Sequence, residues 1–418
     1  MNPYLVIILG VLIGAYFLDV IVDFLNVRHL KTDLPREFEG EYDRGRYGKA
    51  QRYLKETIRF SMLSDSIVTP ITIAFILWGG FNMVDQFARG FGLGPIPTGL
   101  IFMAILLLAS QLIHLPFSIY ETFVIEEKYG FNTTSPQTFV LDIVKGWALA
   151  VLLGGGILAA VLWLFQKAGP WAWLYCWGAL VLFQLIIVFI APILIMPLFN
   201  KFVPLEEGPL REAIEDYAAS QDFKIRGIFT MNGSKRSTRS NAFFTGLGRT
   251  KRIVLYDTLI EKHTVDELVS VLAHEMGHYK KRHILKSLGM SVLTTGLMFY
   301  FLSLFINNRE LFDAFRMEET SIYASLLFFA FLYIPVEMMV SIADNMLSRK
   351  HEYEADVFCI KTHKKPDSMI RALKKLSVDN LSNLTPHPLK VFLSYSHPPV
   401  IERIRVIQRR SRKGLSPQ

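Results

Sequence analysis

Seven apolar stretches, each near or above the roughly 20 residues a helix needs to cross a hydrocarbon core, constrain this chain more than anything else in it. They cover about Tyr4–Leu25, Ser61–Gly80, Gly99–Ile119, Phe139–Phe165, Trp171–Phe199, Ile284–Ile306 and Ile322–Leu347. A chain of 418 residues has room for two or three soluble domains, but here the 51% apolar content is gathered into blocks. The expected fold is mainly α: a polytopic membrane protein of seven transmembrane helices. The first block lacks a basic leading region, its apolar run is too long for a cleaved signal, and Asp19 and Asp23 interrupt it. It is expected to remain as the first helix.

Lysine and arginine crowd the segments Arg28–Arg59, Lys201–Arg282 and Arg349–Lys413, whereas the alternate connections hold only Arg89, Lys167, Arg309 and Arg316. The bias puts the basic segments in the cytosol and the amino terminus outside. It also accounts for the net charge of +8. No basic run is interleaved with aromatics, so no nucleic-acid partner is expected. Cys176 falls inside the fifth block and Cys359 on the cytosolic side, so no disulfide framework and no thiolate metal site are expected. Asp19, Asp23, Asp65, His114, Glu337 and Asp344 lie within apolar blocks. Ionisable groups at that depth face a bundle interior or water, so their number suggests that the helices enclose a hydrated chamber.

The run His274-Glu275-Met276-Gly277-His278 carries the chemistry. Leu268, Val269, Leu272 and Met276 have helical spacing, which places the two histidines one turn apart on one face, able to share one Zn²⁺. Glu275, beside them, is suited to deprotonate a water acidified by that ion. A third ligand is needed. The run Ser348–Asp356 offers carboxylates on what reads as a second helix, with Glu352 and Asp356 one turn apart, so that one ligates while the other orients a ligand histidine or handles protons. Glu354 points elsewhere and reads as a solvated charge.

The chain thus divides into membrane helices one to five (1–199), a soluble piece ending in the motif helix (200–283), helices six and seven (284–347), and a soluble piece that completes the zinc site (348–418). In the first soluble piece a helix is expected over Leu210–Ser220, and Gly227–Met231, Ser240–Phe244 and Arg252–Tyr256 read as strands, with Gly246-Leu247-Gly248 as a turn. They form a small β-hairpin just before the motif helix. An exposed strand edge there would hold an extended peptide by its backbone, which makes Asn241 and Ala242 candidate substrate contacts. The alternative is a purely structural hairpin. The run Ser234–Arg239 reads as a solvated basic loop. In the second piece, Ser368–Leu376 is an amphipathic helical stretch, and His397, on a Pro398-Pro399 turn, and Arg403 are candidate donors to an oxyanion. Spacing alone leaves their roles open.

Taken in order, the runs Thr122–Asn132 after the third block, Asn241–Phe244, Lys251–Leu259, the histidine motif, Glu352–Asp356 and His397-Pro398-Pro399 resemble the type I CAAX prenyl protease family of integral-membrane zinc endopeptidases. The resemblance covers nearly the whole chain. It implies that His274, His278 and Glu352 bind zinc, that Glu275 is the general base, and that Asp356 donates protons or orients a ligand, with His397 and Arg403 near the site. It also implies a water-filled chamber within seven helices, a lipidated peptide or protein substrate, and membrane lipid as surroundings. The end of the chain, Gly414–Gln418, carries no endoplasmic-reticulum retention signal, which favours a bacterial inner membrane over that of the endoplasmic reticulum. Two other readings stay open: a quality-control protease with no prenyl requirement, and a transporter-like protein with a structural zinc.

Overall fold

The computed structural model describes residues 2–31, 33–245 and 252–414. Among the described residues, seven helices are long and apolar enough to cross a membrane: Pro3–Arg28, Arg44–Leu77, Pro95–Tyr129, Pro136–Lys167, Gly169–Phe199, His283–Phe305 and Ile322–His363. Each corresponds to one apolar block, and they are numbered here as spans one to seven. Several extend beyond the hydrocarbon. The second starts at Arg44, where the Asp43 side chain accepts the Arg46 N–H at 3.0 Å and so caps the helix. Span seven runs unbroken from Ile322 to His363, so the carboxylates after Leu347 sit on a rigid continuation of a membrane helix. No glycine or proline occurs between Ser348 and His363 to stop it. The run Thr122–Asn132, read as following the third span, largely prolongs it: a wide π-type turn at Glu121–Glu126 and a last turn at Glu127–Tyr129 end on Gly130, whose φ of +80° favours glycine.

Large apolar side chains such as Phe17, Val144, Leu152, Leu194 and Leu293 stand exposed along the spans, the surface that lipid tails would cover. Between the spans the packing is aromatic, and Phe315 of the connection between spans six and seven stacks on Phe328 with ring centres 3.8 Å apart. The ionisable residues within the blocks largely remain accessible. Asp19, Asp23 and Asp65 line one space of about 230 Å³ between spans one and two. Glu337 lines another of about 530 Å³ among spans four to seven, with Thr294, Thr295 and Tyr333. Charges that are accessible at membrane depth need water in the bundle interior, as a hydrated chamber supplies.

On the side where spans two and seven protrude lies a four-stranded sheet in the order β1-β2-β4-β3, made of β1 (Phe202–Pro204), β2 (Gly227–Met231), β3 (Ala242–Thr245) and β4 (Arg252–Tyr256). The expected hairpin is the antiparallel β3–β4 pair, with Ala242 opposite Leu255. The sheet is larger than a hairpin, because β2 runs parallel to β4, Met231 beside Tyr256, and β1 lies antiparallel to β2. The expected turn at Gly246-Leu247-Gly248 lies outside the described residues.

The basic run before β3 is not a solvated loop. Arg236 forks onto Asp142 of span four at 2.7 and 2.9 Å and donates to Asn200 at 2.8 Å. Arg239 meets Glu126 at 3.0 Å and also the Tyr53 hydroxyl. These contacts fasten the sheet to spans two, three and four. Cys176 and Cys359 are free and buried. A core outside the spans joins Leu268, Leu272 and Met276 of the motif helix to Ile253 and Leu255 of β4 and to Ala372 and Ile404 further on. Each of the leucine, isoleucine and methionine side chains is worth roughly 1.5–3 kcal/mol of burial, which fixes where the polar face of the motif helix points.

Candidate metal centre and active site

The motif helix, Val265–Lys280, begins with a capping box. The Thr264 hydroxyl accepts the Glu267 N–H at 3.4 Å, and the Glu267 carboxylate accepts the Thr264 N–H at 3.0 Å. Glu267 is buried and is neutralised by Lys375 at 2.7 Å. Near its other end the helix crosses span seven at Gly277. A Cβ at that position would lie 3.0 Å from Ala355 Cα and 3.2 Å from both Ala355 O and Phe358 Cβ. Glycine therefore lets the two helices approach until their side chains meet.

At the crossing, His274 Nε2 and His278 Nε2 are 3.2 Å apart, Glu352 Oε2 lies 3.4 Å from the first and Glu352 Oε1 lies 3.3 Å from the second. One donor atom from each of the three residues lies within 4.8 Å of the others. Two imidazoles and a carboxylate closing on one point form a donor set that suits a divalent transition ion, zinc above all. Asp356, one turn beyond Glu352 and fully buried, meets His274 Nδ1 at 2.9 Å, the position from which a carboxylate fixes a ligand imidazole.

Arg403, from the helix Val400–Gly414, forks onto Asp356 at 2.7 and 2.9 Å and reaches Glu352 Oε2 at 3.0 Å. His397 Nε2 lies 3.4 Å from Glu352 Oε1 and its Nδ1 lies 2.9 Å from the Ser396 hydroxyl, on an exposed ring at the rim. Burial and Arg403 oppose a charge on His274, yet the contacts with Asp356 and Glu352 outweigh them and hold its pKa up at about 9. The carboxylates thus call for a cation at this point, and a metal would take the place of that proton. Protein packed around Glu275 pushes its carboxyl above the usual glutamate range.

The fold therefore gathers His274, His278, Glu352, Asp356, Arg403 and His397 in one place, with Glu275 on the same helix. Asn241 and Ala242 are not among these side chains; they belong to the sheet. Ala242 opens β3, the outer strand, which packs beside the motif helix, and the Asn241 carbonyl accepts the Tyr256 N–H at 3.1 Å.

One expectation about this region fails. Glu354 is not a solvated charge: its Oε2 accepts from His283 Nε2 at 3.0 Å. The other His283 nitrogen, Nδ1, lies 3.1 Å from His278 Nδ1. Sequence reading missed His283. The available signal was a third histidine five residues past His278, where the motif helix gives way to span six.

With this geometry in view, the chain can be set beside known proteins. Residues 23–201 match the family described as CAAX prenyl protease N-terminal, five membrane helices, and residues 204–411 match peptidase family M48. The Arabidopsis thaliana protein named CAAX prenyl protease 1 homolog is 36% identical over 420 residues, covering 98% of this chain and 99% of its own length. The chain belongs to peptidase family M48. CAAX prenyl protease 1 of Saccharomyces cerevisiae is 33% identical over 98% of this chain and 96% of its own length. A crystal structure of S. mikatae Ste24p, 33% identical, superposes with a TM-score of 0.93 over 97% of this chain and 99% of that one. These matches, together with the seven spans, make the chain a multi-pass membrane metalloendopeptidase acting on peptide or protein substrates, and favour that over the transporter-like reading.

Proposed function

We propose that this M48 peptidase is a zinc enzyme that cleaves near the C-termini of prenylated CAAX-type or other membrane-associated proteins, holding one Zn²⁺ between His274, His278 and Glu352. The observation that carries the proposal is the convergence of those three side chains at the crossing of the motif helix and span seven, with a carboxylate behind His274. The names of the relatives, CAAX prenyl proteases in plant and yeast, support the substrate class.

When bound, zinc supplies Lewis acidity at the scissile carbonyl and acidifies water. The chain's own residues do the rest. Glu275 takes the proton of the attacking water on its carboxylate and hands it to the leaving amine, a task its raised pKa suits. Asp356 holds His274 through Nδ1 and shares protons with it. Arg403, anchored on both carboxylates, and His397 at the rim offer N–H groups to the charge that develops on the carbonyl oxygen. Asn241 and Ala242 open the free edge of β3, along which a peptide adds as a further strand through backbone bonds common to all sequences.

Basic residues on one side of the spans support a cytosolic site and give no reason to invoke nucleic acid, while the exposed apolar belt supports contact with membrane lipid. The named relatives come from a plant and a yeast, which lends no support to the bacterial inner membrane expected from the sequence. A plant and a yeast source favours the other placement expected from the sequence, the endoplasmic reticulum membrane of a eukaryote.

The test is incubation of purified protein with a farnesylated CAAX peptide, its unprenylated twin and an unfolded fragment of a membrane protein, followed by mass spectrometry. Cleavage of the farnesylated peptide after its modified cysteine, in strong preference to the twin, is the expected result. Equal cleavage of all three would replace the prenyl-directed reading with a quality-control protease.

A further inference from the structure

We infer that His283 and Glu354 form a relay that positions His278 for the metal, the counterpart of what Asp356 does directly for His274; this rests on the reading of His278 as a ligand. Span six begins at His283, and the residue before it, Arg282, has φ +57°, a left-handed conformation that is costly for a residue with a Cβ. That turn folds the chain back so that the His283 ring sits beneath His278. The ring is nearly buried and is held on three sides: Nδ1 lies 3.1 Å from His278 Nδ1, Nε2 lies 3.0 Å from Glu354 Oε2, and one face stacks on His351 with centres 3.9 Å apart and planes 11° apart.

Proton accounting then fixes the direction of the relay. A ligand imidazole that offers Nε2 to a metal keeps its proton on Nδ1. His278 Nδ1–H must therefore donate to His283 Nδ1, which puts the His283 proton on Nε2, where it donates to Glu354. Each contact then has one donor and one acceptor, and the carboxylate acts on His278 through an inserted imidazole. His283 is not itself a ligand of this site, because it faces the His278 nitrogen turned away from Glu352. The arrangement also explains why two carboxylates follow Glu352 on one helix. Asp356, one turn on, serves the first histidine, and Glu354, about 200° around the helix from Glu352, serves the second from the far side.

The experiment uses full-length protein in detergent and compares His283→Ala, His283→Gln, Glu354→Gln and His278→Ala. It reads zinc affinity by competition with a chromogenic chelator and the visible absorption of the cobalt-substituted protein. Loss of an outer partner weakens zinc binding by about 10- to 100-fold, so His283→Ala is expected in that range and Glu354→Gln, which keeps an acceptor oxygen but loses the charge, toward its lower end, both with shifted cobalt bands. His283→Gln, which presents a carbonyl oxygen to His278 and an N–H to Glu354 on one planar amide, should restore most of the affinity and the parent spectrum. A merely structural role would lower thermal stability without moving the cobalt spectrum. If His283→Ala does not fold, Glu354→Gln still decides the matter, since its side chain is about a third exposed. Parent affinity and spectrum in both variants, with metal lost in His278→Ala, would overturn the relay alone. Parent affinity in His278→Ala would overturn the ligand assignment, and the relay with it.

Discussion

Arg403 places one guanidinium against two buried carboxylates, and its value depends on whether a metal is present. Without an ion, Arg403→Leu leaves the buried Asp356 and Glu352 only the proton on His274 as counter-charge, a loss of up to about 3–5 kcal/mol. With zinc bound, the ion supplies part of that charge. The destabilisation should therefore be clearly larger in chelator-treated protein than in zinc-loaded protein, as read by thermal unfolding; equal losses would show that the arginine does not balance the metal-site carboxylates. Glu275 gives a second residue-scale expectation. Burial raises its pKa, and as a base it works only when deprotonated, so kcat/KM should fall on acidification through a pKa above the roughly 4.3 of an exposed glutamate. A profile at saturating zinc that stays level down to about pH 4 would contradict this. The histidine motif was legible because its three residues fall within five positions and their spacing alone places them on one helix. His283 and Glu354 were not, because their meeting depends on a left-handed turn and on two helices crossing, neither of which leaves a periodic trace in the chain.

Two helices crossing at a glycine set the dimensions of the site, and this is where the element scale can be tested. Gly277→Val puts a branched side chain where even a Cβ stands 3.0 Å from the Ala355 backbone, an overpacking cost of about 1–3 kcal/mol. Pushing the motif helix off span seven should lower both the melting temperature and the bound zinc. Parent values of both would mean that the close approach does not set the site. At the start of the same helix, Thr264→Ala removes the capping box and should cost about 1 kcal/mol of stability, with less effect on metal content because the cap lies at the opposite end from the ligands. The β3–β4 hairpin was legible from two short apolar runs around glycines. Strand β1 has only three residues, and the parallel pairing of β2 with β4 joins segments distant in the chain, so neither gives a local signal. The extension of spans two, three and seven beyond the bilayer was missed for a related reason: hydropathy marks where lipid ends, whereas a helix continues until a cap or a breaker stops it.

At the scale of the whole molecule, the spans were the most legible feature, because crossing a bilayer requires long apolar runs and each such run appears as one helix. The same charge bias that orients them predicts sidedness. Reporters fused after Asn232 and after Gln418 should both read cytosolic, and one inserted within Asn307–Glu319 should read external. Any other pattern would undo the arrangement of an odd number of spans with the site on the basic side. That arrangement matters for function, since span seven carries Glu352 and Asp356 rigidly from the membrane to the motif helix. The central claim is that this junction is a metal-dependent hydrolytic site in which Glu275 handles protons and takes no part in holding the ion. It is tested most directly by measuring bound zinc and peptide cleavage on one purified sample of Glu275→Gln. Zinc bound as in the parent protein, with cleavage lower by about 100-fold or more, is the expected result. Cleavage near the parent rate, or a protein emptied of zinc, would contradict it.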